Sequence, residues 1–260
     1  MEHVACLSYG KDSMAMLEAI RRLGYPLDEI IHVDMWATDE IPAQLPEMVA
    51  FKDHADRVIK ERYGIEVKHV CATDKDGSRL TFEKRFYRVS QNPRSKTYGK
   101  IYGWPLLVKG SWCLRDLKLN VLPKGNSKHV VYVGLALDEE WRRKQVGQKN
   151  NVHPLADIGW TEDECMAWCK ENDLLSPVYE KQSRDGCWFC PKQSIESLRR
   201  LRRDYPDYWR MMLEWDKDSP VTFKADYLTL DMFERRFAAE DAGLVPRDRG
   251  FRWKMIDELE

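Results

Sequence analysis

The sequence predicts an α/β fold: an open, mainly parallel, twisted sheet with flanking helices, followed by a helical C-terminal portion. Short apolar runs at Val4-Ala5-Cys6-Leu7, Glu29-Ile30-Ile31-His32-Val33-Asp34 and Ile65-Glu66-Val67-Lys68-His69-Val70 alternate with stretches of helical period. The resulting β-α-β-α-β order requires right-handed crossovers and therefore parallel strands. After Pro154 the helical period takes over.

Taken in order, the first strand ends at Ser8-Tyr9-Gly10, and the helix from Ser13 to Leu23 gathers Met14, Leu17, Ala19, Ile20 and Leu23 near one face. Gly24-Tyr25-Pro26 stops it. The second strand, Glu29 to Asp34, leads to a long helix at about 44–63 and a third strand, Ile65 to Val70. From Thr73 to Gly110, Gly77, Pro93, Gly99, Gly103 and Pro105 interrupt any period, which predicts a long insertion or a loop covering the active site. His129 to Ala136 reads as the last buried strand of the sheet. Thr161 is placed to cap a helix from Glu162 to about Asn172, with Glu164 completing a capping box. A loop at 174–193 and two or three further helices follow.

Composition narrows the class. The 42 Lys+Arg residues balance 43 Asp+Glu residues, so no global charge draws the chain to nucleic acid or to an anionic membrane. No run approaches the roughly 18 apolar residues of a spanning helix, and the N-terminus has no basic region followed by an apolar run, so a cytoplasmic protein without a membrane partner is expected. Seven cysteines, an odd number, point to thiols, metal ligands or catalytic groups rather than a disulfide framework.

Ser8-Tyr9-Gly10-Lys11-Asp12-Ser13 lies where the first strand meets the first helix. There an open α/β sheet presents backbone N–H groups and a helix N-terminus to an anion. Gly10 permits close approach of the backbone to phosphate, Ser8 and Ser13 offer hydroxyl donors, and Lys11 supplies charge. Asp34 ends the second strand at the sheet's carboxyl edge, where it is placed to orient a nucleotide or a water on Mg²⁺. The predicted division is a nucleotide-binding α/β domain at 1–155 and a helical portion at 156–260 carrying the Cys-x-x-Cys loop.

Ser8-x-Gly10-Lys11-Asp12-Ser13 resembles the PP-loop of the adenine-nucleotide α-hydrolase superfamily, with its HUP-like fold. Four later segments resemble, in order, those of the phosphoadenosine phosphosulfate (PAPS) reductase family: Ser111-Trp112-Cys113-x-x-x-x-Lys118; Tyr132-Val133-Gly134-Leu135-Ala136-x-Asp138-Glu139; His153-Pro154-Leu155 with Trp160-Thr161-Glu162; and Gly186-Cys187-Trp188-Phe189-Cys190-Pro191. The likeness spans about residues 3–195. It implies that ATP or a related adenine nucleotide binds at Ser8, Gly10, Lys11, Asp12, Ser13 and Gly134. It also implies that Lys11, Asp12, Asp34 and one of Arg142 and Arg143 serve the reaction, with Mg²⁺ neutralising departing pyrophosphate.

Cys187-x-x-Cys190 with Cys113 far upstream is a pattern in which two close thiolates and a remote third meet at one zinc or iron centre. The resemblance implies a 4Fe-4S cluster, held in many relatives by four cysteines that include an adjacent pair. Here Trp112 precedes Cys113 and breaks that pair, which leaves an open iron site, a non-cysteine fourth ligand or zinc. Cys165 and Cys169, four apart on a helix, share a face and read as core, as do Cys6 and Cys71 beside strands.

Two chemistries follow from the resemblance. One cleaves the α–β bond of ATP to adenylate an acceptor, a nucleic acid or a small molecule, which sulfur from a donor protein then displaces. The other reduces a sulfonucleotide through a C-terminal cysteine nucleophile. No cysteine occurs between Pro191 and Glu260, so the first is expected. A non-catalytic nucleotide-binding module is the remaining alternative. Two basic clusters also stand out: Lys109, Arg115 and Lys118 around Cys113, and Arg199, Arg200, Arg202 and Arg203 followed by Tyr205, Tyr208 and Trp209, a pattern suited to a nucleic-acid backbone.

Overall fold

A computed structural model describes residues 1–94, 97–105, 111–145, 150–180, 186–224 and 227–259. Five parallel strands, β1 (Glu2–Leu7), β2 (Glu29–Val33), β3 (Val67–Val70), β4 (His129–Tyr132) and β5 (Asn151–Val152), form one sheet in the order β3-β2-β1-β4-β5. Helix α1 (Lys11–Leu23) joins β1 to β2, and α2 (Pro46–Tyr63) joins β2 to β3. This is the α/β architecture that the strand–helix alternation predicts. β4 is not the last strand: Val131 and Tyr132 pair with Asn151 and Val152 of β5. A two-residue strand has no period to read.

The chain divides into two compact units, residues 1–82 with 114–187 and residues 83–113 with 188–260. The boundary expected at 155/156 is corrected because α6 (Pro154–Ile158) and α7 (Glu162–Glu171) pack on α1. Residues 13–20 of α1 are all buried, so this helix must be covered on more than the sheet side. Met14, Met16, Leu17 and Ile20 join Leu155, Cys165, Trp168 and Cys169 in one core. Each such aliphatic side chain contributes about 1.5–3 kcal/mol on burial. Cys165 and Cys169 are thus core thiols, as their spacing predicts, whereas Cys6 and Cys71 are only partly buried.

Helix α1 starts at Lys11, two residues before the sequence period shows it, and ends at Gly24 with φ +66°. The Thr161–Glu164 capping box of α7 is formed on both sides.

The second unit is built on aromatic side chains. Its helices are α8 (Ile195–Asp204), α9 (Pro206–Asp218), α10 (Leu230–Asp241) and α11 (Lys254–Asp257), one more than the two or three expected. Trp188 stacks on Trp215 with centroids 5.7 Å apart, and Trp104 meets Phe223 edge-on at 4.9 Å. The described part of 83–105 is therefore not simply an insertion: Phe86 and Trp104 are fully buried in this unit, while 106–110 lie outside the described residues. Short helices α3 (Phe82–Phe86), α4 (Trp112–Leu114) and α5 (Glu140–Gln145) lie between β3 and β5 in sequence.

Candidate functional site

Strand order reverses direction between β1 and β4, and at such a switch point an open α/β sheet leaves a crevice outside the carboxyl ends of its strands. The Ser8–Ser13 loop leaves β1 there, and residues 133–139 leave β4 on the other side. The loop is closed by its own serines. Ser13 Oγ lies 3.1 Å from Ser8 N and 3.0 Å from Ser8 Oγ, and donates to the Gly10 carbonyl at 3.0 Å. Gly10 is the N-cap of α1 and has no side-chain cap of its own. The Lys11 N–H instead donates to the Tyr179 phenol oxygen at 3.3 Å. A Cβ on Gly10 would stand 3.2 Å from that oxygen, so the turn is close-walled.

Gly134 packs against the loop itself. A Cβ there would lie 3.0 Å from Asp12 O, Ser13 N and Ser13 Cα, all backbone atoms. Its missing side chain lets the segment after β4 press against the first turn of α1.

Lys11 is buried, and its Nζ donates to Asp12 Oδ1 at 2.6 Å and Glu162 Oε2 at 2.9 Å. Burial would lower its pKa, but the two carboxylates outweigh that and hold it above the ordinary lysine value. Burial raises Asp12 against the pull of Lys11. The expectation that Lys11 offers a free charge to phosphate is therefore modified: Glu162, from α7, is a partner that no local pattern could reveal.

Asp34 follows β2 at the carboxyl edge, as predicted, but within a cluster that the sequence did not reveal. Its Oδ1 accepts from Lys52 Nζ at 2.8 Å and lies 3.4 Å from His32 Nε2, and its Oδ2 accepts from His69 Nδ1 at 2.7 Å. Burial pushes Asp34 up, and the two histidines with Lys52 overcome this and hold it well below the usual carboxylate range. His69 Nε2 meets Asp56 Oδ2 at 3.0 Å. With a carboxylate at each ring nitrogen, His69 is held as imidazolium, its pKa pushed up to about 9 by hydrogen bonds to Asp34 and Asp56.

The sign of the pH effect follows. His69 titrates higher folded than unfolded, so its contribution to stability is complete below the ordinary histidine value of 6.5 and is lost as pH rises through about 9. The melting temperature of the wild type should fall between pH 7 and 9.5 more steeply than that of His69→Gln. Equal slopes would exclude the assignment.

Across the crevice, Glu139 is buried and its carboxylate accepts from Ala136 N at 3.2 Å and from Arg142 Nη1. Arg143 Nη1 donates to the carbonyls of Ala136 and Leu137. Both arginines thus hold the turn after β4, and the Arg142 side chain is half exposed.

The cysteines divide between the units: Cys187 closes the first, and Cys113 and Cys190 belong to the second. Cys113 Sγ is 3.7 Å from Ser111 Oγ. Trp188 and Phe189, inside the Cys-x-x-Cys sequence, are buried core aromatics. Lys224 Nζ donates to the carbonyls of Pro191 and Gln193, both at 2.6 Å, and fixes the turn after Cys190. Among the described residues, no three His, Cys, Asp or Glu side chains gather into a group able to hold a metal ion.

Several side chains of the two basic clusters carry acidic partners. Arg199, Arg202 and Arg203 are paired with Glu240, Glu234 and Asp204. Arg115 is paired with Asp116, and Lys109 lies outside the described residues. Among the described residues no helix is long and apolar enough to cross a membrane.

The sequence matches no protein-family model and no curated protein. Among solved structures, the chain is similar to the U34-tRNA thiolase NcsA from Methanococcus maripaludis with its 4Fe-4S cluster. The two are 15% identical with a TM-score of 0.35, over 84% of this chain and 71% of that one. At that score the likeness says nothing about individual residues of the site.

Proposed function

We propose that this chain is an enzyme that binds ATP or a related adenine nucleotide at Ser8–Ser13 and adenylates an acceptor for sulfur transfer. The observation that carries the reading is the position of this serine-closed loop, at the switch point of a parallel sheet and the N-terminus of a buried helix. In this reading an acceptor oxygen attacks the α-phosphorus, the bond to pyrophosphate breaks, and a sulfur nucleophile later displaces AMP. Loop N–H groups and the Ser8 and Ser13 hydroxyls hold the phosphates. Lys11 offsets Asp12 and Glu162, which would otherwise repel them. Asp34, fixed by Lys52 and His69, faces the nucleotide from the β2 edge, and Arg142 or Arg143 contacts the acceptor side.

Mg²⁺, when bound, supplies charge neutralisation for the departing pyrophosphate. An iron–sulfur or zinc centre at Cys113, Cys187 and Cys190 is supported by the sequence pattern alone, and no step here runs through it. The acceptor is a nucleic acid or a small molecule, and the sulfur donor is a protein.

The test is product analysis. Incubation with Mg²⁺-ATP, candidate acceptors and sulfide as the sulfur nucleophile should yield equimolar AMP and pyrophosphate. Sulfite released from PAPS or adenosine phosphosulfate with a thiol reductant would instead establish the reductase reading. Nucleotide binding with neither product from any acceptor would favour a binding module.

A further inference from the structure

Tyr9, inside the phosphate loop, has φ +59°, a left-handed backbone that bulky L-residues rarely adopt and that glycine would adopt without steric cost. Its side chain is completely buried. The phenol donates to Asp56 Oδ1 and lies 3.1 Å from His69 Nε2. The ring meets His32 edge-on at 4.7 Å and stacks on His69 at 6.2 Å, with Lys52 Nζ 5.6 Å from its centroid. One side chain thus ties the loop to β2, β3 and the middle of α2. A strained backbone persists only where its surroundings over-determine it, and these contacts do so.

We propose that Tyr9 is a positioning residue: its phenol, clamped by Asp56 and His69, fixes the Ser8–Gly10 turn so that the N–H groups at the start of α1 face the phosphates of the nucleotide. This rests on the reading of Ser8–Ser13 as the nucleotide site. The clamp acts through the backbone, since the phenol points away from the crevice into the β2–β3–α2 cluster. Asp34 belongs to the same device because it holds His69 from its other nitrogen, and Lys52 fixes Asp34 in turn. The clamp explains why a fully buried tyrosine occupies a backbone position that favours glycine.

Calorimetric titration with Mg²⁺-ATP tests it. Tyr9→Phe keeps the ring and loses the hydroxyl, and its ATP affinity should fall about tenfold, the scale of one buried hydrogen bond. If Tyr9→Phe does not fold, the Asp56 variants decide: the loss should be smaller in Asp56→Asn, which keeps an acceptor oxygen for the phenol, than in Asp56→Ala. Unchanged affinity in Tyr9→Phe, or equal losses in the two Asp56 variants, would overturn the proposal. Amide hydrogen exchange without nucleotide separates this failure from that of the nucleotide reading. Should wild type not bind ATP, faster exchange at residues 8–11 in Tyr9→Phe would still establish the clamp, and unchanged exchange would refute it.

Discussion

Replacing Arg199 by alanine is expected to destabilise the second unit by about 3–5 kcal/mol, the cost of removing one member of a buried charge network. Arg199 is 7% exposed. Its guanidinium donates to both oxygens of Glu240 at 2.7 and 2.9 Å, to Glu196 at 3.1 Å, to Asp248 at 3.2 Å and to the Arg247 carbonyl. Arg236 holds Glu240 from the other side at 2.7 Å. Truncation would leave the Glu240 carboxylate buried with half its partners. Arg199→Lys should recover little, because an ammonium cannot reproduce the forked contact. Urea unfolding of the two variants checks this, and a change below about 1 kcal/mol, the scale of an exposed pair, would refute it.

The second large effect is expected at Gly134. Gly134→Ala places a methyl group 3.0 Å from backbone atoms of Asp12 and Ser13, which have no flexible end to swing aside. The first turn of α1 must shift, at about 1–3 kcal/mol for overpacking. The same shift disturbs the loop N–H groups, so ATP affinity should fall more than tenfold even where the protein stays folded. Gly134→Val should be worse on both counts. Thermal melting with ATP titration measures the two losses separately, and wild-type affinity in a folded Gly134→Ala protein would remove the glycine from the site.

What could be read from the sequence was local. The strand–loop–helix at Ser8–Ser13, the first three parallel strands and the Thr161–Glu164 box are each written in a few adjacent residues, and the structure reproduces them. The polar cluster behind the loop was not legible. His32, Lys52, Asp56 and His69 come from three elements and share no spacing, and the available signal was a histidine inside each of two short strands. Glu162 reaches Lys11 across 151 positions, beyond any motif. Nor could the stretch 199–203 show that Arg199 and Arg202 find their partners Glu240, Glu234 and Asp241 on α10. The 155/156 boundary failed because α7 looks like the start of a helical region, yet its buried face is made for α1.

The central claim, that the loop between β1 and α1 receives the phosphates of an adenine nucleotide, is tested most directly by mapping backbone amide chemical shifts during titration with Mg²⁺-ATP. The predicted result is saturable change concentrated at residues 8–13 and at Gly134, with smaller changes at Asp34 and His69. Changes confined to another surface, such as the arginine-lined cleft of Arg21, Arg22 and Arg62 at the far end of α1, or no change at millimolar ATP, would contradict it.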